Sequence, residues 1–414
     1  MLRPLLFLLS IVGLSAQELS LAEALRRADA QNPALLAQGY AGRASAALID
    51  QAAVRPNPTL DLALENFAGT GALRGVDGLE TTVQVSQALE RGGKRDKRVT
   101  AARRERDVAD REYAVHRAEV FAATVAAYVG VIAAQERLAL STQSLALAQE
   151  TTDAVAVRFK AAAASSAEGA RARATLALAR AEHTRAESAL AQARASLAAS
   201  WGGAGGDVPT LPRTLPVPAE LPAPDVLLAK LAAHPRFDLQ QATVASRRAS
   251  LQLAQSQVSQ DVTVAGGVRF LREGSDAALV AAVSVPLPFR GQNQGTIRAA
   301  RETLAGAEQS SLALDAGLRA AFTAAWQELQ VALTVARDLR RDALPETESA
   351  LTQLRRAYEQ GELPLTDVLD AQRAHAVLRR EILDADIAAA TALVRVDALT
   401  DSSFPLTTAL LSAQ

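Results

Sequence analysis

A proline-free stretch from Arg95 to Ala162, in which Gly130 is the only glycine, constrains this chain more than any other feature. As one α-helix rising about 1.5 Å per residue, it would be on the order of 100 Å long. A helix of that length cannot fold back into a globule, so it needs lateral neighbours, as in a coiled coil or a helical barrel. A second stretch, from Thr296 to about Gln360, has the same character, with Pro345 as one interruption. The sequence therefore predicts a mainly helical protein, and periodicity alone leaves a simple coiled-coil rod open.

The composition agrees with long helices packed side by side. Alanine dominates, and aromatic residues make up only 4% of the chain, which is few for a compact core. The formal net charge of -1 provides no basic field, so a nucleic-acid partner is unsupported. Because the chain has no cysteine, neither a disulfide framework nor a lipid-anchored cysteine is expected.

Residues 1–16 have the three parts of a secretory signal peptide. Arg3 supplies a positive charge, Leu5 to Leu14 is an apolar run, and Leu14-Ser15-Ala16 offers small residues for cleavage. The apolar run is too short to span a membrane, and no later segment has about 20 consecutive apolar residues. We therefore expect an exported chain that begins near Gln17, with a buried N-terminal helix as the alternative.

The sequence repeats one pattern at a spacing of about 200 residues, which indicates a duplicated domain. Asn32-Pro33 in the first copy corresponds to His234-Pro235 in the second. Between the copies, a run rich in glycine and proline has the composition of a linker. We divide the chain into a signal peptide (1–16), a first repeat (17–201), a linker (202–224), a second repeat (225–401) and a C-terminal tail (402–414).

Each repeat contains two short segments in which apolar and polar residues alternate, which is the pattern of a β-strand. The predicted strands lie near residues 59–67, 79–89, 261–271 and 278–287. A glycine-rich turn joins the first pair and a polar turn joins the second, so each repeat contributes one hairpin. Two small hairpins that cap a soluble helical bundle are the alternative, although isolated hairpins are marginally stable in water.

If the apolar faces meet lipid, the sheet cannot keep an unpaired edge, because hydrocarbon offers no hydrogen bonds. Four strands are too few to close a barrel. We therefore predict a trimer in which each chain contributes four strands to a transmembrane β-barrel of about twelve. The polar faces would line a water-filled lumen, where we place four charged residues: Asp61, Glu65, Glu80 and Arg269.

Four groups of residues occur in a fixed order along the chain. They are Asn32-Pro33 with Arg55-Pro56-Asn57-Pro58, then Glu90-Arg91-Gly92-Gly93-Lys94-Arg95, then Val285 to Gly295, and finally Tyr358-Glu359-Gln360-Gly361 running into Asp367 to Gln372. Together they resemble the TolC superfamily, specifically its cobalt-zinc-cadmium-type heavy-metal efflux branch. The resemblance covers nearly the whole mature chain.

The resemblance implies a homotrimer with a short β-barrel in the outer membrane and a long α-helical barrel across the periplasm. It also implies docking to a periplasmic adaptor and to an inner-membrane transporter of the RND type. The energy would come from that transporter, so the chain itself would be a passive exit duct for metal cations or small toxic compounds.

The strand-to-helix junctions carry Arg-Gly steps, at Arg91-Gly92-Gly93 and at Arg290-Gly291, where glycine permits a sharp change of backbone direction. Four basic residues follow the first junction: Lys94, Arg95, Lys97 and Arg98. They either meet lipid phosphates at the inner headgroup level or form a solvated basic face.

The resemblance places the periplasmic entrance at the turn from Gly361 to Pro364. It assigns Asp367 and Asp370 to the constriction, where a trimer would carry two stacked carboxylate rings that favour cations. It also matches Tyr358 to a tyrosine whose bonds tie the entrance helices together. The expected arginine partner is missing, because Leu363 occupies its position. Solvated helix acids are the alternative for Asp367 and Asp370.

No set of residues suited to catalysis, metal binding or cofactor binding stands out in the sequence. The four histidines are scattered without metal-ligand spacing: His116, His183, His234 and His375. No glycine-rich phosphate loop follows a strand. We therefore expect neither enzyme activity nor a cofactor. A periplasmic adaptor-like coiled-coil protein of an efflux complex and a soluble exported helical enzyme are the alternatives, and the two equivalent halves argue against the first.

Overall fold

The computed structural model describes residues 18–204, 206, 208–212, 214–218, 220–287, 293–401 and 403–412. The predicted signal peptide (1–16) and two junction residues, Arg290 and Gly291, lie outside them. The α-helices of the described part are α1 (Leu21–Gln31), α2 (Pro33–Ala53), α3 (Lys94–Lys160), α4 (Ser166–Ala199), α5 (Pro224–Lys230), α6 (Pro235–Ser256), α7 (Gln294–Asp338), α8 (Leu344–Gln360), α9 (Leu365–Thr400) and α10 (Pro405–Ser412). The strands there are β1 (Thr59–Glu65), β2 (Glu80–Leu89), β3 (Val262–Leu271) and β4 (Asp276–Ser284).

The chain divides into two compact units, and both halves of the sequence contribute to each. One unit comprises the described residues within 18–36, 116–234 and 316–412, and we call it the helical unit. The other comprises residues 37–115 and 235–315, and we call it the sheet unit.

The sheet unit contains a four-stranded antiparallel sheet in the order β1-β2-β3-β4. The two hairpins predicted from the sequence are joined into one sheet, because β2 of the first repeat pairs with β3 of the second. The paired stretch begins with Glu80 opposite Leu271 and ends with Leu89 opposite Val262. β1 and β4 are the edges of this sheet within one chain. An in-register sheet with period-two alternation has one polar face and one apolar face.

The fourth strand ends earlier than the alternation of its sequence suggested. β4 stops at Ser284, whereas the predicted strand ran to residue 287. Pro286 accounts for the difference, because proline has no N–H to donate to a neighbouring strand.

The core of the helical unit is built from the long helices. One cluster includes Val125, Tyr128 and Ile132 of α3, and a second surrounds Leu329 of α7 and Leu393 of α9. Many of the buried positions hold alanine, which allows helices to approach closely. Among the described helices, α3 alone is long and apolar enough to cross a membrane. In the structure, 44% of its most apolar segment of 18 residues is buried.

The second long helical stretch is not broken at Pro345 but passes through a π-helical turn, Leu339–Ala343, between α7 and α8. Proline lacks an N–H and its ring clashes with the carbonyl four residues earlier, here that of Arg341. A π-helical turn absorbs this conflict within a continuous helix. The turn also places Arg340 against the carboxylate of Asp386 on α9.

The glycine- and proline-rich run between the repeats is packed, although its described residues form no long helix or strand. We call the described residues 208–212 and 214–218 the strap. Three of its apolar side chains are buried in the cluster around α3: Val208, Leu211 and Leu215. The N–H of Leu19 donates to the C=O of Thr210 at 2.9 Å, and the Tyr128 hydroxyl donates to the C=O of Leu19 at 2.7 Å. These bonds fasten the strap and the segment before α1 to the core.

The predicted C-terminal tail contains the helix α10, which periodicity over so few residues did not reveal. Asp397 of α9 is fully buried (0% exposed) at the start of this helix. Its carboxylate accepts the N–H and the hydroxyl of Thr407, at 2.7 and 2.8 Å, and the N–H of Leu406 at 3.4 Å. Burial raises the pKa of Asp397, and these hydrogen bonds oppose the rise. The side-chain oxygens of Asp397 therefore cap the N-terminus of α10.

Candidate functional site

The strand register places the four predicted lumen residues on one face of the sheet. Glu65 pairs directly with Glu80, and Thr82, two residues further along β2, pairs with Arg269. Asp61 lies four residues before Glu65 on β1. Side chains an even number of residues apart along a strand point to the same face. The structure therefore brings all four residues to one polar face.

Arg269 links the acids of this face. Its guanidinium lies 3.3 Å from the Glu65 carboxylate and 2.9 Å from the Glu80 carboxylate, and its Nε donates to the Thr82 hydroxyl at 3.0 Å. Two carboxylates directly opposite one another destabilise a sheet. Arg269 therefore compensates the Glu65–Glu80 pair, while Asp61 accepts a separate hydrogen bond from Ser86 at 2.6 Å.

The other face of the sheet is apolar and exposed in the single chain. Its exposed side chains include Leu60 (72%), Leu62 (66%), Leu64 (51%), Val85 (51%), Phe270 (53%), Leu279 (88%) and Val283 (70%). A contiguous apolar band of this kind marks contact with lipid or with another protein.

Two adjacent glycines of β3 face opposite sides of the sheet. At Gly267, on the polar face, a Cβ atom would lie 2.2 Å from the Val83 carbonyl oxygen and 2.6 Å from the Gln84 Cα. At Gly266, on the apolar face, a Cβ atom would have nothing within 4 Å. The close approach of β2 to β3 therefore requires glycine at 267 but not at 266.

The first strand-to-helix junction turns through two glycines. Gly92 and Gly93 have φ angles of 72° and 68°, in the left-handed region that favours glycine. A Cβ atom at Gly92 would also lie 2.4 Å from the Ser259 hydroxyl oxygen. The Arg91 N–H donates to Asp261 Oδ1 at 3.1 Å. The junction thus depends on residues from both repeats.

Lys94 and Lys97, predicted to meet lipid or solvent, are engaged inside the sheet unit. Lys94 is buried, and its ammonium lies 2.8 Å from the Asp261 carboxylate. Lys97 donates to the Gln252 side chain at 3.1 Å. Because Asp261 is 167 residues from Lys94, no local spacing in the sequence reveals this pair.

Arg95 and Arg98 contact the end of α2, a role that neither sequence-based interpretation of these residues included. Arg95 donates to the C=O of Ala53 and Arg98 to that of Ala52, each at 2.8 Å. Arg98 also forms an ion pair with Glu90 at 2.6 Å. The last carbonyls of a helix lack internal partners and carry partial negative charge. The two arginines therefore cap the C-terminus of α2.

In the helical unit, α3 with α4 forms hairpin 1, and α8 with α9 forms hairpin 2. Each first helix ends in a left-handed residue, Ala162 (φ 58°) in hairpin 1 and Gly361 (φ 82°) in hairpin 2. The residue after each donates its N–H back to the helix, at 2.8 and 2.9 Å respectively. Both tips therefore have the same Schellman-type ending.

Ala162 occupies a conformation that glycine adopts at less cost, so Ala162→Gly should stabilise the protein. We expect a gain of about 0.5–1 kcal/mol, because a left-handed alanine is strained and glycine is not. Thermal unfolding of the detergent-solubilised protein would measure it. Ala163→Gly is the matched control, since Ala163 has no positive φ; an equal gain there would contradict this account.

Tyr358 lies between the two hairpins. It is buried (5% exposed) against Val155 of hairpin 1 and Leu365 of hairpin 2. The Arg158 guanidinium lies 4.5 Å from the centre of its ring, and Arg158 Nη1 donates to the Tyr358 C=O at 2.8 Å. Burial raises the pKa of Tyr358, while the charge of Arg158 opposes the rise.

The arginine that accompanies Tyr358 thus comes from hairpin 1, whereas the family pattern places it at the position of Leu363. Arg158 and Tyr358 are 200 residues apart, so nothing in the spacing of the sequence identifies the pair. The only sequence signal is indirect: Arg158-Phe159 occupies the place in the first repeat that Ala357-Tyr358 occupies in the second.

Asp367 and Asp370 lie on α9 just beyond the tip of hairpin 2. Asp367 lies in the first turn of α9, where the helix dipole stabilises a negative charge. Its carboxylate accepts a hydrogen bond from the Thr366 hydroxyl at 3.3 Å. Asp370 is exposed and pairs with Arg373 at 3.0 Å. The structure therefore brings both acids and Tyr358 to one end of hairpin 2, with Arg373 offsetting part of the charge of Asp370.

In the part of the chain that the structure describes, no three His, Cys, Asp or Glu side chains are grouped so that they could hold a metal ion. The polar face of the sheet and the hairpin tips are therefore the two candidate functional regions.

An open sheet with one polar and one apolar exposed face, together with long helical hairpins, defines the architecture of an outer-membrane channel chain. Residues 24–203 match the family described as outer membrane efflux protein. The chain is 30% identical over 325 residues to the cobalt-zinc-cadmium resistance protein CzcC of Cupriavidus metallidurans, covering 78% of this chain and 76% of that protein. It is also 30% identical over 287 residues to the nickel and cobalt resistance protein CnrC of the same organism, covering 69% and 67%. The chain belongs to the outer membrane efflux protein family.

Solved structures share the fold at lower sequence identity. A membrane protein from Pseudomonas aeruginosa has a TM-score of 0.78 at 19% identity, covering 92% of this chain and 90% of that one. The transmembrane channel protein CusC has a TM-score of 0.75 at 16% identity, covering 92% of each chain. The outer membrane protein VceC from Vibrio cholerae has a TM-score of 0.73 at 17% identity, covering 92% and 96%.

These similarities confirm the resemblance to TolC-type proteins and the predicted fold, which is mainly helical with a small four-stranded sheet. The family places this protein in the outer membrane. Its family consists of efflux channels rather than enzymes. Members form trimers and act in tripartite efflux systems.

Proposed function

We propose that this chain is the outer-membrane duct of a tripartite efflux system and works as a homotrimer that exports metal cations. The observation that carries the proposal is the two-faced sheet with unpaired edges. Its exposed apolar face fits lipid, its polar face fits a wet lumen, and only further strands can complete its hydrogen bonds. Three copies give about twelve strands, enough to close a barrel.

The cargo and the partners follow from the relatives. CzcC and CnrC carry the names of resistance proteins for cobalt, zinc, cadmium and nickel, which supports divalent cations as cargo. A duct of this kind requires a periplasmic adaptor and an inner-membrane transporter, for which the RND type is our proposal. A passive duct needs no tight metal site of its own.

The tip of hairpin 2 is our proposed periplasmic entrance. Asp367 and Asp370 would give the trimer rings of carboxylates that attract cations. Arg158, clamped over Tyr358, holds hairpin 2 against hairpin 1 in each chain. We propose that Asp61, Glu65, Glu80 and Arg269 line the water-filled lumen of the barrel. Arg91 with Gly92 and Gly93 would form the step from strand to helix in the first repeat, and Arg290 with Gly291 remain our prediction for the second.

Membrane fractionation followed by planar-bilayer recording tests the proposed function. We expect the protein in the outer-membrane fraction, running as a trimer in mild detergent and conducting ions in a bilayer. A strain that lacks the protein should lose tolerance to zinc, cobalt and cadmium while keeping its tolerance to organic toxicants. Recovery of a monomer from the periplasm without detergent would reject the proposal.

Removing the two entrance acids should reduce the preference of the channel for cations. In the double variant Asp367→Ala with Asp370→Ala, fixed negative charge at the constriction is lost, so the reversal potential in a salt gradient should move toward zero. The expected change is roughly a twofold or greater loss in the cation-to-anion permeability ratio.

The matched control for this variant removes two other exposed acids, Asp153 and Glu187 of hairpin 1. It changes the net charge equally but leaves hairpin 2 intact. If both double variants change the permeability ratio equally, Asp367 and Asp370 have no special role at the entrance.

A further inference from the structure

The end of the sheet next to its two hairpin turns carries most of the charge of the polar face. Glu65 is the last residue of β1, Glu80 is the first of β2 and Asp276 is the first of β4. Arg269 lies two residues before the end of β3. Because α2 and α3 join β1 and β2 at the other end of these strands, the turns lie at the end away from those helices. In the proposed duct, the turns therefore surround the outer mouth of the barrel.

Acids outnumber bases on the polar face. Asp276 belongs to this face because it pairs with Leu271, which is two residues beyond Arg269 on β3. Among the strand residues that the structure describes, the face therefore holds four acids and one base, which is Arg269. In the proposed trimer every chain adds the same excess of negative charge, and such a lining attracts cations. The place of the single base decides where along the lumen this attraction is reduced.

Arg269 uses all three of its guanidinium nitrogens near the mouth. Nη2 lies 3.3 Å from Glu65 Oε2, Nη1 lies 2.9 Å from Glu80 Oε2, and Nε donates to the Thr82 hydroxyl at 3.0 Å. The second carboxylate oxygen of Glu80 accepts a hydrogen bond from the Asn66 side chain at 2.9 Å. The guanidinium thus bridges the two carboxylates, while 37% of the Arg269 side chain stays exposed. The bridge is therefore within reach of ions in the lumen.

Asp61, further from the mouth on the same face, has a different environment. Within the described residues its carboxylate accepts a hydrogen bond from the Ser86 hydroxyl at 2.6 Å, and that hydroxyl also lies 2.6 Å from the Thr59 hydroxyl. These partners are neutral, so they leave the charge of Asp61 in place. The polar face therefore keeps a negative charge deeper in the lumen and offsets its charge near the mouth.

Without the guanidinium, Glu65 and Glu80 would form a pair suited to a divalent cation. They are directly opposite one another on antiparallel strands, where Cβ atoms are about 4.5–5.5 Å apart. Two flexible side chains at this spacing can direct carboxylate oxygens to one ion, and such oxygens are ligands of Zn²⁺ and of harder divalent cations. Conduction requires that an ion be bound weakly enough to leave. A pair that holds the exported cation would therefore slow its exit.

We propose that Arg269 determines how divalent cations pass the outer mouth. Its guanidinium is a tethered counter-ion that occupies the space between Glu65 and Glu80, so that exported cations are not held there. The inference rests on the proposed duct for metal cations. It goes beyond relief of the repulsion between two strands, because it predicts that loss of Arg269 makes the mouth sensitive to divalent cations and not to K⁺.

Bilayer recordings with Cd²⁺ as the probe test this role. Arg269→Gln removes the positive charge and keeps a polar side chain beside Thr82. The Cd²⁺ concentration that halves the cation-to-anion permeability ratio should be roughly tenfold or more lower in this variant than in wild type, with recovery after EDTA. Adding Glu80→Gln to Arg269→Gln should restore the wild-type value, because a single carboxylate binds a divalent cation weakly. Arg272→Gln removes the same charge from the adjacent exposed turn and should match wild type.

Trimer assembly gives a second measurement. If the two carboxylates repel and Arg269→Gln yields little trimer, Zn²⁺ added during refolding in detergent should restore the trimer on unboiled gels, whereas K⁺ at equal ionic strength should not. Equal Cd²⁺ sensitivity of Arg269→Gln and Arg272→Gln, or a loss of trimer that Zn²⁺ does not reverse, would overturn the inference. A wild-type protein that assembles but does not conduct would instead reject the proposed duct.

Discussion

Replacing Gly267 by valine is expected to abolish assembly of the protein in the outer membrane. A Cβ atom at this position would lie 2.2 Å from the Val83 carbonyl oxygen and 2.6 Å from the Gln84 Cα. Both are backbone atoms of β2, so relief of the clash requires β2 and β3 to separate. Since β2 and β3 join the two halves of the sheet, their separation leaves two isolated hairpins, which are marginal on their own. The cost should exceed about 4 kcal/mol.

Gly266→Val is the matched control for this substitution. Gly266 lies next to Gly267 in the same strand, but its Cβ would have nothing within 4 Å on the apolar face. Valine there should be tolerated, because β-branched residues suit an exposed apolar strand position. The measurement is the amount of trimer in outer-membrane fractions on gels run without boiling. Trimer from Gly267→Val at the level of Gly266→Val would show that the two strands do not approach as closely as the structure indicates.

Asp397→Ala is expected to destabilise the helical unit by about 2–3 kcal/mol. The substitution removes the cap of α10 and leaves the buried N–H and hydroxyl of Thr407 without an acceptor. Because α10 covers parts of both core clusters through Leu406 and Leu411, its loosening should affect the whole unit. Thermal unfolding followed by far-UV circular dichroism, on protein in detergent, would measure the loss.

The pH dependence distinguishes this cap from a generic loss of contacts. Burial raises the pKa of Asp397 above its ordinary value of 3.8. For an acid whose folded-state pKa is raised, the stability it contributes is fully present below the unfolded-state pKa and is lost as the pH rises through the folded-state pKa. The difference between wild type and Asp397→Ala should therefore shrink as the pH is raised from about 4 to about 8. Asp401→Ala, which removes an acceptor only from exposed Ser403, is the control; a similar loss there would contradict the special role of Asp397.

The parts of the fold that follow from short-range periodicity were predictable from the sequence. Alternation located the four strands, and the faces it assigned to Glu65, Glu80 and Arg269 agree with the strand register. The absence of proline located α3. These features depend on neighbours only a few residues apart, so one sequence contains the information.

Features that depend on distant residues were not predictable. The pairing of β2 with β3, the Lys94–Asp261 ion pair and the contact of Arg158 with Tyr358 all join the two repeats. The charges of Arg95 and Arg98 suggested contact with lipid or solvent. Their hydrogen bonds to the end of α2 were not predicted, because a sequence does not show which distant backbone atoms lie within reach of a side chain. The π-helical turn before Pro345 was missed for another reason: a proline in a helix can be accommodated in more than one way.

The unpaired edges β1 and β4 have a consequence for cells that make two versions of this protein. In the proposed trimer, each ring would need sound strands from all three chains, since one faulty edge would leave the circle of hydrogen bonds open. With equal synthesis of a faulty and a sound version, and random mixing, only about one ring in eight would contain sound chains alone. A mutation that prevents an edge strand of this sheet from pairing would therefore act dominantly, and one faulty gene copy would remove most of the export capacity.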